Sequence, residues 1–259
     1  MAVIKSGASS DQLTIDATSK AARATLYNTA GAAAAIDSNT SALRVNPMPM
    51  DVGALGSYQV SVVSGTIGAG LGAASPIFSM RWGNASNAAL IRRLSVAARC
   101  LGTAFTAGAT LFEMMMARAF TASDSAGTAV TLTTNNAKKR TNFGTSLVTD
   151  MRISSTATLT AGTRTLDAQP IAQVRGFVPA TQVNYPMIGE AVGFAPGAST
   201  LAFALRPFNI FFADMGNDWP IVLRQDEGVI LRATVPATGT FEAIIEVEWD
   251  EVPLTSGMT

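Results

Sequence analysis

WPIVLRQDEGVILRATVPATGTFEAIIEVEWDEV, residues 219–252, is the stretch that decides the fold. Its last piece, Phe241 to Asp250, alternates almost without fault. Phe241, Ala243, Ile245, Val247 and Trp249 share one face, and Glu242, Ile244, Glu246, Glu248 and Asp250 share the other. A period of two is the signature of a strand with one face on a core and the other toward water. Just upstream, Val229, Leu231, Ala233 and Val235 alternate with Ile230, Arg232 and Thr234. Pro236-Ala237-Thr238-Gly239 separates the two strands and Gln225-Asp226-Glu227-Gly228 precedes them, both with turn chemistry. The pattern predicts a closing antiparallel meander with one buried face and an exposed acidic face.

Outward from this pair, further strands are predicted at Tyr58–Val62, Ile77–Trp82, Ala89–Val96 and Thr110–Arg118. Shorter ones follow at Ala129–Leu132, Met151–Ile153, Leu166–Ile171 and Asn209–Ala213. Gly, Ser and Thr fill the loops, the region 134–165 is polar and Thr-rich, and no long helical period appears. Many short strands of this kind predict a mainly β chain: an antiparallel β-sandwich, jelly-roll-like, with an extended N-terminal arm. No fixed-period repeat is present.

Residues 1–50 differ in style from the body at 51–259. Leu13–Asp16 and Ala24–Tyr27 read as short strands, the Ala32–Ala35 run as a helical turn or two, and Asn46-Pro47-Met48-Pro49 as an extended joint. The apolar residues Ile4, Leu13, Ile15, Leu26, Tyr27, Ile36, Leu43 and Val45 are too few to close a core. Such an arm becomes ordered by lying on something else, so these eight are the candidate partner-anchoring residues.

Composition narrows the chemistry. The chain has 259 residues, 18 Lys+Arg against 18 Asp+Glu, a charged fraction of 14% and no histidine. The even charge balance gives no electrostatic footprint for nucleic acid. A surface rich in Ala, Thr, Ser and Gly suits burial against other subunits. Without histidine, Ser-His-Asp, Cys-His and His-rich zinc arrangements all fail. The single cysteine, Cys100, excludes an intrachain disulfide and reads as a small buried hydrophobe. The N-terminus lacks the apolar core of a signal peptide, and no run of about twenty apolar residues predicts a membrane span.

Three constellations carry possible chemistry. Ile67-Gly68-Ala69-Gly70-Leu71-Gly72-Ala73 outlines a dinucleotide fingerprint, but Pro76 and a strand follow where a helix is required. Lys138-Lys139-Arg140 is the one tight basic cluster and reads as a solvated loop or a contact to an acidic subunit. Asp226, Glu227, Glu242, Glu246, Glu248, Asp250 and Glu251 crowd the C-terminal sheet, where two carboxylates could form a hydrolytic pair or hold calcium. Strand periodicity explains most of them as an exposed face. Met114-Met115-Met116 places one side chain on one face of a strand and two on the other, which reads as packing in a core and against a neighbouring subunit. No catalytic, cofactor or metal residue is assigned.

Ile4-Lys5-Ser6-Gly7-Ala8-Ser9-Ser10-Asp11-Gln12-Leu13-Thr14-Ile15-Asp16, continued by Ser19–Tyr27, resembles an N-terminal segment of structural proteins of tailed bacteriophages. Ser75–Trp82 and Asp226–Phe241 are similar to stretches of such virion proteins. The resemblance implies assembly into a particle; together with the missing histidine and the absence of a signal peptide or membrane span, it leads to the expectation of a non-enzymatic virion part made in the host cytoplasm. It would decorate or reinforce the capsid, or belong to the collar or tail exterior. Its expected partners are other virion proteins and further copies of itself, a trimer being the preferred oligomer, with no nucleic acid and no membrane. Two other classes compete. A receptor-binding protein would grip a host glycan with Trp82, Tyr185 and Trp219 at loop ends; a glycan-degrading enzyme would use paired carboxylates.

Overall fold

The computed structural model describes residues 3–5, 12–15, 22–23, 53–68, 71, 74–133, 137–181, 183–192, 204–213 and 219–254. The chain divides into two compact units, Met1–Pro49 and Met50–Thr259. In the first, β1 (Val3–Lys5), β2 (Gln12–Ile15) and β3 (Ala22–Arg23) form an antiparallel sheet in that order. The expected strand at Ala24–Tyr27 and the Ala32–Ala35 turn lie outside the described residues.

The second unit is mainly β, and its described residues contain no helix. Its long strands are β4 (Gly56–Val63), β5 (Ser75–Trp82), β6 (Asn87–Cys100) and β7 (Gly108–Arg118). Shorter ones follow: β8 (Thr128–Ala129), β9 (Asp150–Ile153), β10 (Thr165–Leu166) and β11 (Ala172–Val178). Then come β12 (Pro186–Ile188), β13 (Glu190–Val192), β14 (Ala204–Arg206), β15 (Phe208–Phe212) and β16 (Ile221–Leu223). The chain closes on β17 (Glu227–Thr234) and β18 (Phe241–Pro253). Thr110–Arg118, predicted as a strand, lies wholly in β7.

Two antiparallel sheets face each other. One has the order β10-β7-β17-β5-β9-β8, with β11 also on β7. The other has the order β12-β6-β18-β4, with β15 and β16 also on β6. Phe78, Met80, Trp82, Phe112, Met114, Met116, Val229 and Leu231 from the first meet Tyr58, Ile91, Leu94, Val96, Ile245, Val247 and Trp249 from the second in one core. Every one of these side chains is at most 1% exposed, as the alternating pattern requires. Tyr58 stacks on Trp249 with ring centroids 5.4 Å apart, and burial pushes its hydroxyl up to about 12. Cys100 lies in the same core, its thiol pushed up to about 11 by burial.

The closing meander is not formed. β17 pairs with β5 and β7, whereas β18 pairs with β4 and β6 in the opposite sheet. The connection 235–240 therefore crosses from one sheet to the other. Two consecutive strands with apolar faces are equally satisfied by lying side by side or by facing one another. Six residues are enough for either, because only a two- to five-residue hairpin loop would have forced the neighbours together.

The outer faces carry smaller clusters. Met115, Ala117, Phe120 and Ile230 form one, and Ala88, Leu90 and Val252 another. Arg164 and Asp124 make a buried ion pair beside the first, with the guanidinium 5.3 Å from the centroid of Phe120. Burial lowers the Arg164 pKa. Met115 is thus covered within its own chain, where the sequence also allowed a subunit contact.

Candidate functional site

A β-bulge builds a densely charged surface of the body. Along β6, Arg93 stands opposite Glu248 and Ile91 opposite Trp249, so Arg92 has no partner on β18. An extra residue on one strand lets two successive side chains emerge on the same face. Strict alternation would have driven one of Arg92 and Arg93 into the core. Instead Arg92 lies 3.5 Å from both Glu248 and Asp250, while Arg93 lies 3.6 Å from Glu248 and 3.9 Å from Glu246. Lys139 adds a further ion pair to Glu248, and Arg99 reaches Glu242 at 2.5 Å. The acidic face of β18 is therefore half-buried under cations from β6 and from the 137–143 loop.

Asp250 departs from the expected exposed face: it is 1% exposed. Ser57 hydrogen-bonds its carboxylate and Arg92 pairs with it. Desolvation nevertheless raises its pKa, the hydrogen bond and the nearby cations opposing. The 137–143 loop holds this corner together by running along the edge of β4. The Gln59 amide donates to the Ala137 carbonyl at 2.7 Å and the Lys139 amide to the Ser57 carbonyl at 3.0 Å. An open cleft of about 420 Å³ results. It is lined by Gly53, Ser57, Arg92, Lys139, Arg140, Phe143 and Asp250.

Glu251, next along β18, points into the sandwich and is fully buried. It accepts hydrogen bonds from the Ser146 hydroxyl at 2.7 Å, the Leu147 amide at 2.9 Å and Trp249 Nε1 at 3.1 Å. Desolvation raises its pKa, with those donors opposing. Asp226 and Glu227, at the start of β17, pair with Arg81 and Arg118, well away from this corner in the chain's other sheet. Of the candidate carboxylates, Glu246, Glu248 and Asp250 share one network of ion pairs, Glu242, Asp226 and Glu227 hold other ion pairs, and Glu251 is held by hydrogen bonds. Among the described residues no cluster of three or more Cys, Asp or Glu is arranged to hold a metal ion.

The remaining candidates fare differently. Ile4 and Leu13 are register partners between β1 and β2, and Ile15 pairs with Ala22 of β3. Leu26, Tyr27, Ile36, Leu43 and Val45 lie outside the described residues. Ile67 of the glycine-rich stretch makes a two-way bridge with Phe241, and β5 stands where a nucleotide fingerprint needs a helix. Trp82 is buried in the core, its Nε1 donating to the Asn87 carbonyl at 2.9 Å, so it cannot line a loop-end glycan site. Tyr185 packs on the core and Trp219 is 65% exposed. The corner cleft itself was missed. Its signals, the adjacent arginines 92 and 93 and the basic triplet 138–140, stand apart in sequence and are joined only by the bulge and the β4 edge.

No protein-family model, no curated protein and no solved structure matches this chain.

Proposed function

We propose that the protein is a non-enzymatic structural protein of a tailed-bacteriophage virion. In this reading it sits on the particle exterior, as capsid decoration or as a collar or tail component, and is anchored by residues 1–50. The body, 51–259, is a jelly roll. The strand order β4-β18-β6-β15 opposite β5-β17-β7-β11 supports this, because it is the order of two interleaved Greek keys. Jelly rolls recur in viral capsid domains and in lectins. The body assembles as a symmetric homo-oligomer, a trimer by preference, in the host cytoplasm before joining the particle. Neither nucleic acid nor membrane is a partner.

The observation that carries the non-enzymatic reading is the engagement of the carboxylates. Every Asp and Glu whose side chain is described holds an ion pair or, for Glu251, three hydrogen-bond donors. A glycosidase keeps two carboxyl groups aimed at a shared space, one of them free to give up a proton. The glycan-receptor alternative loses support with Trp82 in the core.

Cross-linking of purified particles tests the proposal. Amine-reactive cross-links from Lys5 or Lys20 to a capsid, collar or tail protein are the expected result. A particle preparation free of this chain, or links to copies of the chain alone, would overturn the assignment.

A further inference from the structure

We infer that the corner cleft between β4, β6 and the 137–143 loop is a binding site for a single carboxylate group attached to an apolar body. This goes beyond the proposed role in the particle and does not depend on it. Arg92, Arg93 and Lys139 are all committed to Glu246, Glu248 and Asp250. Arg140 lines the same cleft and has no carboxylate partner among the described residues. Among the described residues Arg140 therefore stands at the cleft as an uncommitted cation, open to an incoming anion.

Geometry selects the ligand further. Asp250 is the one acid lining the cleft, and it is 1% exposed and paired with Arg92. Lys139 and Arg140 are on the exposed loop, where an incoming anion meets them first. A guanidinium presents paired donors that match a carboxylate. The Phe143 ring forms the adjoining apolar wall. Its tilted contact with Tyr58, 6.5 Å between centroids, links that wall to the core. The loop is fixed by backbone hydrogen bonds to β4 on either side of Lys138, so the site is preformed. A volume of about 420 Å³ takes a small organic acid or one acidic side chain.

Titration of the isotope-labelled full chain at low salt, followed by amide NMR, tests this with four probes. They are phenylacetate, N-acetylglutamate amide, inorganic phosphate and benzylamine. Saturable shifts confined to residues 53–59 and 137–143, from phenylacetate or the capped glutamate, are expected. Tighter binding of phenylacetate identifies a free small carboxylate as the natural occupant; tighter binding of the capped glutamate identifies an acidic side chain of another chain. Arg140→Gln should weaken either by about tenfold, the loss of one charge-assisted pair. Phe143→Leu should weaken phenylacetate more than the capped glutamate. Both positions are at the cleft mouth, so retained dispersion of the other resonances reports an intact fold. Phosphate or benzylamine binding as tightly as the carboxylates, no saturation, or affinity unchanged in Arg140→Gln would each overturn the assignment.

Discussion

At the scale of single residues, neighbouring positions on β18 differ by what surrounds them. Trp249 is fully buried, stacks on Tyr58 and donates to Glu251. Trp249→Ala should cost about 3–5 kcal/mol, as large-to-small core changes do. Glu248 reads in sequence as an exposed acid whose loss costs little. Its side chain is 13% exposed and meets Arg92, Arg93 and Lys139. Glu248→Ala should therefore cost about 1–2 kcal/mol, between an exposed pair and a buried one. Denaturant melts of both variants check the ranking, and a Glu248→Ala midpoint equal to wild type would refute the ion-pair cluster. Glu251 sets a pH dependence. Its pKa is raised in the fold, so over the interval between the ordinary carboxyl value and the raised one the native state binds more protons than the unfolded chain. Stability contributed by this group is full below that interval and declines as pH rises through it. Asp250 acts in the same direction. Glu251→Gln should flatten the slope in a pH series of thermal melts; an unchanged slope would assign it elsewhere.

At the scale of elements, the long strands with one apolar face were legible and their partners were not, while Leu166–Ile171 and Ala129–Leu132, predicted as strands, are strand only at Leu166 and Ala129. Tyr58, Ile77, Leu94, Phe112, Val229 and Trp249 each announce a buried face by period two, and each lies in a core strand. β11 escaped notice because Gln173, Arg175 and Phe177 are exposed and its inward residues are only partly covered until Val178. β12 and β16 are three residues each, too short for any period. The pairing of β17 and β18 with different sheets depends on long-range packing, which alternation does not encode. The bulge at Arg92 is the local departure from alternation that assembles the cleft. Deleting Arg92 should leave a regular β6–β18 ladder with the remaining faces unchanged, giving a protein that still melts cooperatively at lower temperature. Deleting Leu94 should put Arg93 opposite Val247, facing the core, and abolish the transition. Similar melts for the two would contradict the register. A second element-scale test lies at Gly127, where φ is 65° and an added Cβ would sit 2.4 Å from the Ile153 carbonyl oxygen. Gly127→Ala should cost about 1–3 kcal/mol, since backbone cannot retreat as a flexible side chain would. A midpoint matching wild type would show that the β8–β9 corner is looser than this contact implies.

At the scale of the whole molecule, the account rests on a division of labour between the two units. The described body core runs from Tyr58 to Trp249 and draws on both facing sheets. Residues 1–50 carry scattered apolar groups that the sequence reads as too few to close a core, and on that ground we propose that they anchor the chain. The most direct measurement compares the full chain with one beginning at Asp51. Each is added to particles lacking the protein, and incorporation is read together with circular dichroism of the free chain. The account predicts that the shortened chain is folded and β-rich yet absent from the particles. Incorporation equal to that of the full chain would show that the anchor lies in the body, and a shortened chain that cannot fold would show that residues 1–50 belong to its core.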